Sequence, residues 1–145
     1  MLHLEEITPD NWREDLRVAE TQKNYVASIT VLLARAYAYR NERSFACMIY
    51  DDDTPVGMAL YYDCDGLNAY DFSQFFIDER YQRRGFGKQA ASMILERMEQ
   101  DGKYDEVVLC YIEGNDVARN MYEKLGFFDT GEADEEEIIM KKKLR

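Results

Sequence analysis

The chain has 145 residues, 46% of them hydrophobic and 13% aromatic, enough for one domain with its own core over residues 1–145 and too apolar for a disordered segment. Its 18 basic and 29 acidic residues leave a net charge of -11, which speaks against general binding to nucleic acid or anionic membranes and for neutral or cationic partners. No apolar run approaches the roughly 20 residues of a membrane span, and MLHLEEITPDNW lacks the basic and apolar regions of a signal peptide, so the expected location is cytoplasmic.

In chain order, LHLEEI reads as a short strand, and Thr8 followed by Pro9 reads as an N-cap with proline at the first helical position, opening a helix through about Val18. Val26, Ile29, Leu33, Ala36 and Tyr37 recur at helical spacing and predict a second helix from about Val26 to Tyr39. SFACMIY and PVGMALYYD predict a hairpin across the turn DDDT, and AYDFSQFFID a third, longer strand. A helix from about Gly85 to Gln100 follows, with Phe86, Ala90, Met93, Ile94 and Met98 on one face and Gly102 ending it. DEVVLCYIE is apolar throughout its centre, the pattern of a strand covered on both faces and parallel to the third. A helix from Asp116 to Leu125 puts Val117, Met121, Tyr122 and Leu125 on one side and stops at Gly126, a residue suited to a left-handed C′ position. FFDTGEADEEEIIMKKKL closes the chain as two strands around an acidic turn. The order β-α-α-β-β-β-α-β-α-β-β predicts a mixed α/β sheet with helices on both faces. Cys47, Cys64 and Cys110 are odd in number, far apart and without a C-x-x-C partner, so they are expected to be reduced, mostly core thiols, with no metal site.

YQRRGFGKQA, residues 81–90, gathers two glycines and three cations at a helix start. Free N–H groups there, at the positive end of the helix dipole, suit a phosphate. Gly85 and Gly87 let the backbone close on a diphosphate, and Arg83, Arg84 and Lys88 add charge. A Walker A loop is excluded, because Gln82 stands where its first glycine belongs and Gln89 where its Ser or Thr belongs. Gly85, Gly87 and Ala90 match a dinucleotide fingerprint in form, but a loop separates them from the nearest predicted strand, and three further predicted strands precede that one. A helix start with merely solvated arginines is the remaining alternative.

QRRGFG fits the Q/R-x-x-G-x-G/A pattern of the Gcn5-related N-acetyltransferases, and EGNDVARNMYEKLGF supplies that family's asparagine after the fifth strand, Asn115, with a tyrosine seven residues on, Tyr122. The chain resembles this family well over residues 44–145 and by element order before that. The resemblance implies the acyl-CoA N-acyltransferase fold, acetyl-CoA as cosubstrate and a homodimer as a frequent assembly. It also implies that the diphosphate lies on Gln82, Arg83, Arg84, Gly85, Phe86, Gly87 and Lys88. The main chain of Phe75, Phe76 and Ile77 would bond the pantetheine arm, Asn115 would bond the cosubstrate, and Tyr122 would donate a proton to the leaving thiolate. Within the family, YEKLGFFDTGEADEEEIIMK is similar to the bacterial spermine/spermidine and diamine acetyltransferases.

Acetyl transfer to an amine needs the neutral amine, and with an ammonium pKa of about 10.4 deprotonation at pH 7 costs about 4.6 kcal/mol. A tyrosine near 10 can donate to a thiolate of about 8.5 with little penalty. On the residues alone Tyr122 is equally a core tyrosine beside Val117 and Leu125, and Asn115 equally a helix cap. Ser73 and Gln74 occupy the strand centre where some polyamine acetyltransferases carry a glutamate, so a water relay is expected; Asp71, Glu113 and the tyrosines of LYYD are candidate contributors, each read as structural or solvated ahead of catalytic. His3, the sole histidine, lies far from the motifs, and Cys110 has no basic partner to make it a nucleophile. The acidic balance favours a polyamine acceptor, and GEADEEE at 131–137 is either part of its cleft or a solvated turn. An aminoglycoside, a protein N-terminus, or a silent acyl-CoA sensor are the alternatives.

Overall fold

The computed structural model of the chain describes residues 1–23 and 28–145. Among these, seven strands form one sheet: β1 (Leu2–Glu6), β2 (Phe45–Asp51), β3 (Thr54–Cys64), β4 (Ala69–Ile77), β5 (Glu106–Ile112), β6 (Phe128–Asp134) and β7 (Glu137–Lys143), in spatial order β1-β2-β3-β4-β5-β7-β6. Three α-helices accompany it: α1 (Ile29–Ala38), α2 (Phe86–Asp101) and α3 (Asp116–Lys124). The mixed sheet with helices on both faces is as expected. Strand alternation explains the two layers, because successive side chains leave a strand on opposite sides. Cys47 and Ile49 of β2 join Tyr70 and Leu109 against Ala90 and Ile94 of α2, while Met48, Met58 and Phe76 join Leu32 of α1 on the other face.

The helix expected from Thr8 to Val18 does not form. Asn11 is buried, its side chain accepting from the Thr8 N–H at 2.8 Å and donating to the Glu6 carbonyl at 3.0 Å, while the Thr8 hydroxyl accepts from the Asp10 N–H. These local bonds compete with a helical ladder and win, so residues 9–13 are turns, and Leu16 enters the core from irregular chain. A short 3₁₀ turn, Glu20–Gln22, follows.

The second helix begins at Ile29, capped by the Ser28 hydroxyl, which accepts from the Val31 N–H. The expected start at Val26 lies outside the described residues. Leu32 is its fully buried residue, and Tyr37, assigned to the inner face from spacing, is exposed instead. Gly102 and Gly126 close α2 and α3 in the left-handed region, as the sequence predicts.

Gly57 pairs with Ile77 at the end of β4, where the two backbones approach so closely that a Cβ would sit 2.4 Å from the Phe76 carbonyl oxygen. Gly57→Ala is expected to cost about 1–3 kcal/mol through this overlap. Urea denaturation at constant m-value checks it, and an unchanged midpoint would refute the close approach.

The sheet is not continuous at its middle. β4 and β5 are parallel neighbours at only two positions, Tyr70 with Val107 and Asp71 with Val108. Yet β3 follows β4 to Ile77, and β7 follows β5 to Ile112. A bulge supplies the bend: Leu60 pairs with Gln74 and Tyr61 with Phe72, leaving Ser73 as the extra residue. Beyond Asp71 the two strands therefore part like a fork, and β5 is not covered on both faces as expected. Val107 to Leu109 are buried, whereas Cys110 opens into the gap.

Candidate active site

The fork opens a cleft of about 1020 Å³. At one end lie Gln82, Arg83, Phe86 and Gly87 from the loop after β4 and the head of α2. At the other lie Arg35, Tyr39, Tyr62, Asp71, Ser73 and Glu137, with Phe75, Phe76, Ile77, Asn115 and Tyr122 between.

The head of α2 is held open by backbone geometry. Gly85, the N-cap residue, has φ +79, Arg83 before it has φ +65, and no side chain caps the helix. The first N–H groups of α2 have no partner among the described residues, so they and the helix dipole face outward. Gly85 is needed for its left-handed conformation, since nothing lies within 4 Å of its would-be Cβ. Gly87 serves packing more than the expected clearance for an anion: a Cβ there would stand 3.3 Å from Met121 Sδ of α3 and 3.8 Å from Ile77. Arg84 lies over the Tyr81 ring at 5.6 Å, and Arg84 and Lys88 are exposed beside the cleft rather than in its wall. Gln82 is engaged within the protein, its side-chain amide donating to the Ile77 carbonyl at 3.1 Å and tying the loop to the strand end.

Tyr122 reaches the fork from α3, with its ring edge-on to Phe72 at 6.3 Å and Phe127 at 5.6 Å. Burial pushes its phenol well above the ordinary range, so the hydroxyl stays protonated. Val117, expected on the same apolar side, is exposed at the cleft instead. Asn115 is buried and caps α3, its Oδ1 accepting from the Ala118 N–H at 3.3 Å. Its Nδ2 donates to Gln22 Oε1 at 3.1 Å, a contact across 93 residues of chain that no local pattern announces.

Asp71 stands where β4 leaves β5. Burial raises its carboxyl, Arg35 and Tyr62 hold it down, Glu137 raises it further, and the balance is about 6. Arg35 of α1 donates to the Ser73 hydroxyl at 3.1 Å, and the Tyr62 hydroxyl approaches the same oxygen at 3.4 Å. Burial raises Tyr62 to about 12, and the Tyr39 ring stacks on it at 4.0 Å.

Cys110 is exposed rather than a core thiol, and Cys64 is half-buried; only Cys47 of the three is in the core. Burial, with the nearby carboxylates of Glu137, Asp71 and Asp134, raises Cys110 to about 11, which leaves it a thiol and a poor nucleophile. Of the other candidates, Glu113 is exposed and outside the cleft wall, Tyr61 bonds Arg97, and Asp63 is taken up by Arg43 and Lys103. His3 sits on the outermost strand, stacked on Tyr50. From the acidic turn, Glu137 alone reaches the cleft wall. Among the described residues no group of three or more potential ligands could hold a metal, and no helix is long and apolar enough to cross a membrane.

Two central parallel strands that part, a helix head with free amides at one end of the gap, and Asp71 and Tyr122 within it make up the cleft, and the chain belongs to the acetyltransferase (GNAT) family, which it matches over residues 4–127. It is an N-acetyltransferase of that family, whose cosubstrate is acetyl-CoA. Spermine/spermidine N(1)-acetyltransferase of Bacillus subtilis (strain 168) is 32% identical to it over 141 residues, covering 92% of this chain and 91% of that one. A probable spermine N(1)-acetyltransferase of Bacillus subtilis subsp. natto (strain BEST195) is 30% identical at the same coverage. Among solved structures, spermidine N-acetyltransferase from Vibrio cholerae, in complex with CoA and spermine, superposes with a TM-score of 0.77 at 17% identity, over 97% of this chain and 94% of that one. That likeness concerns the fold.

Proposed function

We propose that residues 1–145 form one domain that moves the acetyl group of acetyl-CoA to a primary amine of a polyamine such as spermidine or spermine, by direct attack within a ternary complex. The observation that carries the reading is the single cleft joining the free head of α2 to Asp71 through the β4–β5 fork. The names of the two Bacillus relatives support the acceptor, as do the net charge of -11 and the presence of Asp71 and Glu137 in the cleft wall.

The main-chain amides at 85–88, with Arg83 and Arg84, bind the diphosphate, and Asn115 and the free edge of Phe75–Ile77 orient the arm. The fork is the right shape for that, because one extended chain can bond strand edges that lack a neighbour. The amine nitrogen attacks the thioester carbonyl carbon and the C–S bond breaks. Asp71 takes the proton released from nitrogen, and Tyr122 donates its proton to the departing sulfur. The acceptor arrives as an ammonium and releases one proton to solvent before it attacks, a loss that desolvation in the cleft eases by lowering its pKa; the proton Asp71 takes is the second, shed by nitrogen once it has bonded the carbonyl carbon. Each group has changed its proton once, so both are restored by exchange with solvent before the next turnover.

An acetyl-CoA consumption assay over a panel of amines tests the reading. Spermidine and spermine should give higher kcat/KM than butylamine, and failure to turn over any polyamine would refute the acceptor. Arg84→Ala should weaken coenzyme A binding roughly tenfold by calorimetry with an unchanged melting temperature, as fits loss of one charge-assisted contact. Unaltered affinity would move the diphosphate away from this loop.

A further inference from the structure

We infer that Arg35, tethered to the extra residue of the β4 bulge, is a positioning residue that keeps Asp71 charged in the acceptor half of the cleft. The inference rests on the reading of Asp71 as proton acceptor. The groups that face Asp71 come from five elements: Arg35 and, just after its helix, Tyr39 with α1, Tyr62 from β3, Ser73 from β4 itself, Cys110 from β5 and Glu137 from β7. Among the described residues Arg35 is the one cation there, since the other cation of the cleft wall, Arg83, belongs to the far end. Cys110 is a thiol, Tyr39 and Tyr62 are phenols, and Glu137 is a like charge that opposes ionisation of Asp71. Without Arg35, burial and Glu137 would act on the carboxyl with only the Tyr62 hydroxyl against them.

The way Arg35 is held suits this task. No carboxylate lies within ion-pair distance of it among the described residues, so its charge is not spent on a local partner. Its anchor is a neutral hydroxyl, Ser73 Oγ, at 3.1 Å. Ser73 is where the bulge interrupts the pairing with β3, and the same oxygen meets the Tyr62 hydroxyl. One irregular residue therefore holds both groups that favour the Asp71 carboxylate, and the bulge that opens the fork also seats the guanidinium in the same cleft wall as Asp71. A direct Arg35–Asp71 pair would instead tie up the carboxylate oxygens that must accept the proton.

Carbon NMR of the full-length protein labelled at the aspartate carboxyl carbons, with the Asp71 signal assigned by its loss in Asp71→Asn, reads the charge state directly. Arg35→Met is expected to raise the Asp71 midpoint from about 6 by about one unit, and Arg35→Lys to return most of it. The acid limb of kcat, with both substrates saturating, should move by the same amount. Parallel movement of both supports the inference. An unmoved NMR midpoint in folded Arg35→Met overturns it and leaves Asp71 as base untouched. A moved midpoint with an unmoved kcat limb shows that Asp71 is not the proton acceptor, and the inference falls with that reading. Melting temperatures of the three variants verify that folded protein is compared, and Ser73→Ala, which removes only the tether, should give a smaller shift of the same sign.

Discussion

Asp71→Asn is expected to lower kcat for acetyl transfer by a hundredfold or more while coenzyme A affinity stays the same, since a positioned general base contributes about 10²–10⁴ in rate. Asparagine keeps the shape and the polar contacts but cannot take a proton. The wild-type pH profile should fall on the acid side near pH 6, where the carboxyl becomes protonated and ceases to be a base. In Asp71→Asn that limb should vanish from whatever activity remains. Stability should move the other way. The folded carboxyl titrates near 6, above the unfolded value of about 3.9, so the folded state binds the proton more tightly. Its contribution to stability is fully present below pH about 4 and is lost as pH rises through about 6. At pH 7 the wild type thus holds a carboxylate that the fold disfavours, and the asparagine variant should melt at the same temperature or higher. A variant that loses activity and stability together would mean that Asp71 serves the fold rather than the reaction.

Tyr122→Phe is expected to cost about a hundredfold in kcat with little change in the dissociation constant for coenzyme A. Phenylalanine preserves the edge-on contacts with Phe72 and Phe127, so the ring still fills its place and only the hydroxyl is lost. Burial has raised this phenol above its ordinary value near 10, which makes full proton transfer to a thiolate of about 8.5 more uphill than the residue type alone suggests. In the proposed reaction Tyr122 would accordingly act as a hydrogen-bond donor while the C–S bond lengthens, and complete the transfer as the thiol departs. An acyl donor with a more acidic thiol needs that donation less, so the deficit of Tyr122→Phe should shrink with it. A deficit independent of the leaving group would assign Tyr122 to binding or packing. Expected losses of similar size for Asp71 and Tyr122 would come from opposite ends of the proposed reaction, in which one receives the proton from nitrogen and the other supplies it to sulfur.

What was determined by the sequence alone is what nearest neighbours along the chain decide. The spacing of Ala90, Ile94 and Met98 placed α2. The paired glycines at 85 and 87 marked its head, and Asn115 marked the start of α3, because periodicity, capping and left-handed turns act within a few residues. The motif residues from Phe75 to Tyr122 could be named only through the resemblance to the family's pattern, and they line or flank one cleft. Thr8 and Pro9 misled for the complementary reason: the cap signal was present, but buried Asn11 bonded the backbone on both sides of it and no helix followed. Tertiary structure alone decided the acceptor half. The bulge at Ser73 parts β4 from β5, which exposes Cys110 and turns Asp71 into a cleft residue. Arg35, Tyr62 and Glu137 then converge on it from α1, β3 and β7. Gln22 meets Asn115 from a distance of 93 residues in the same way. Charge state follows from burial and from the sum of surrounding charges in three dimensions, and no window along the chain contains that sum.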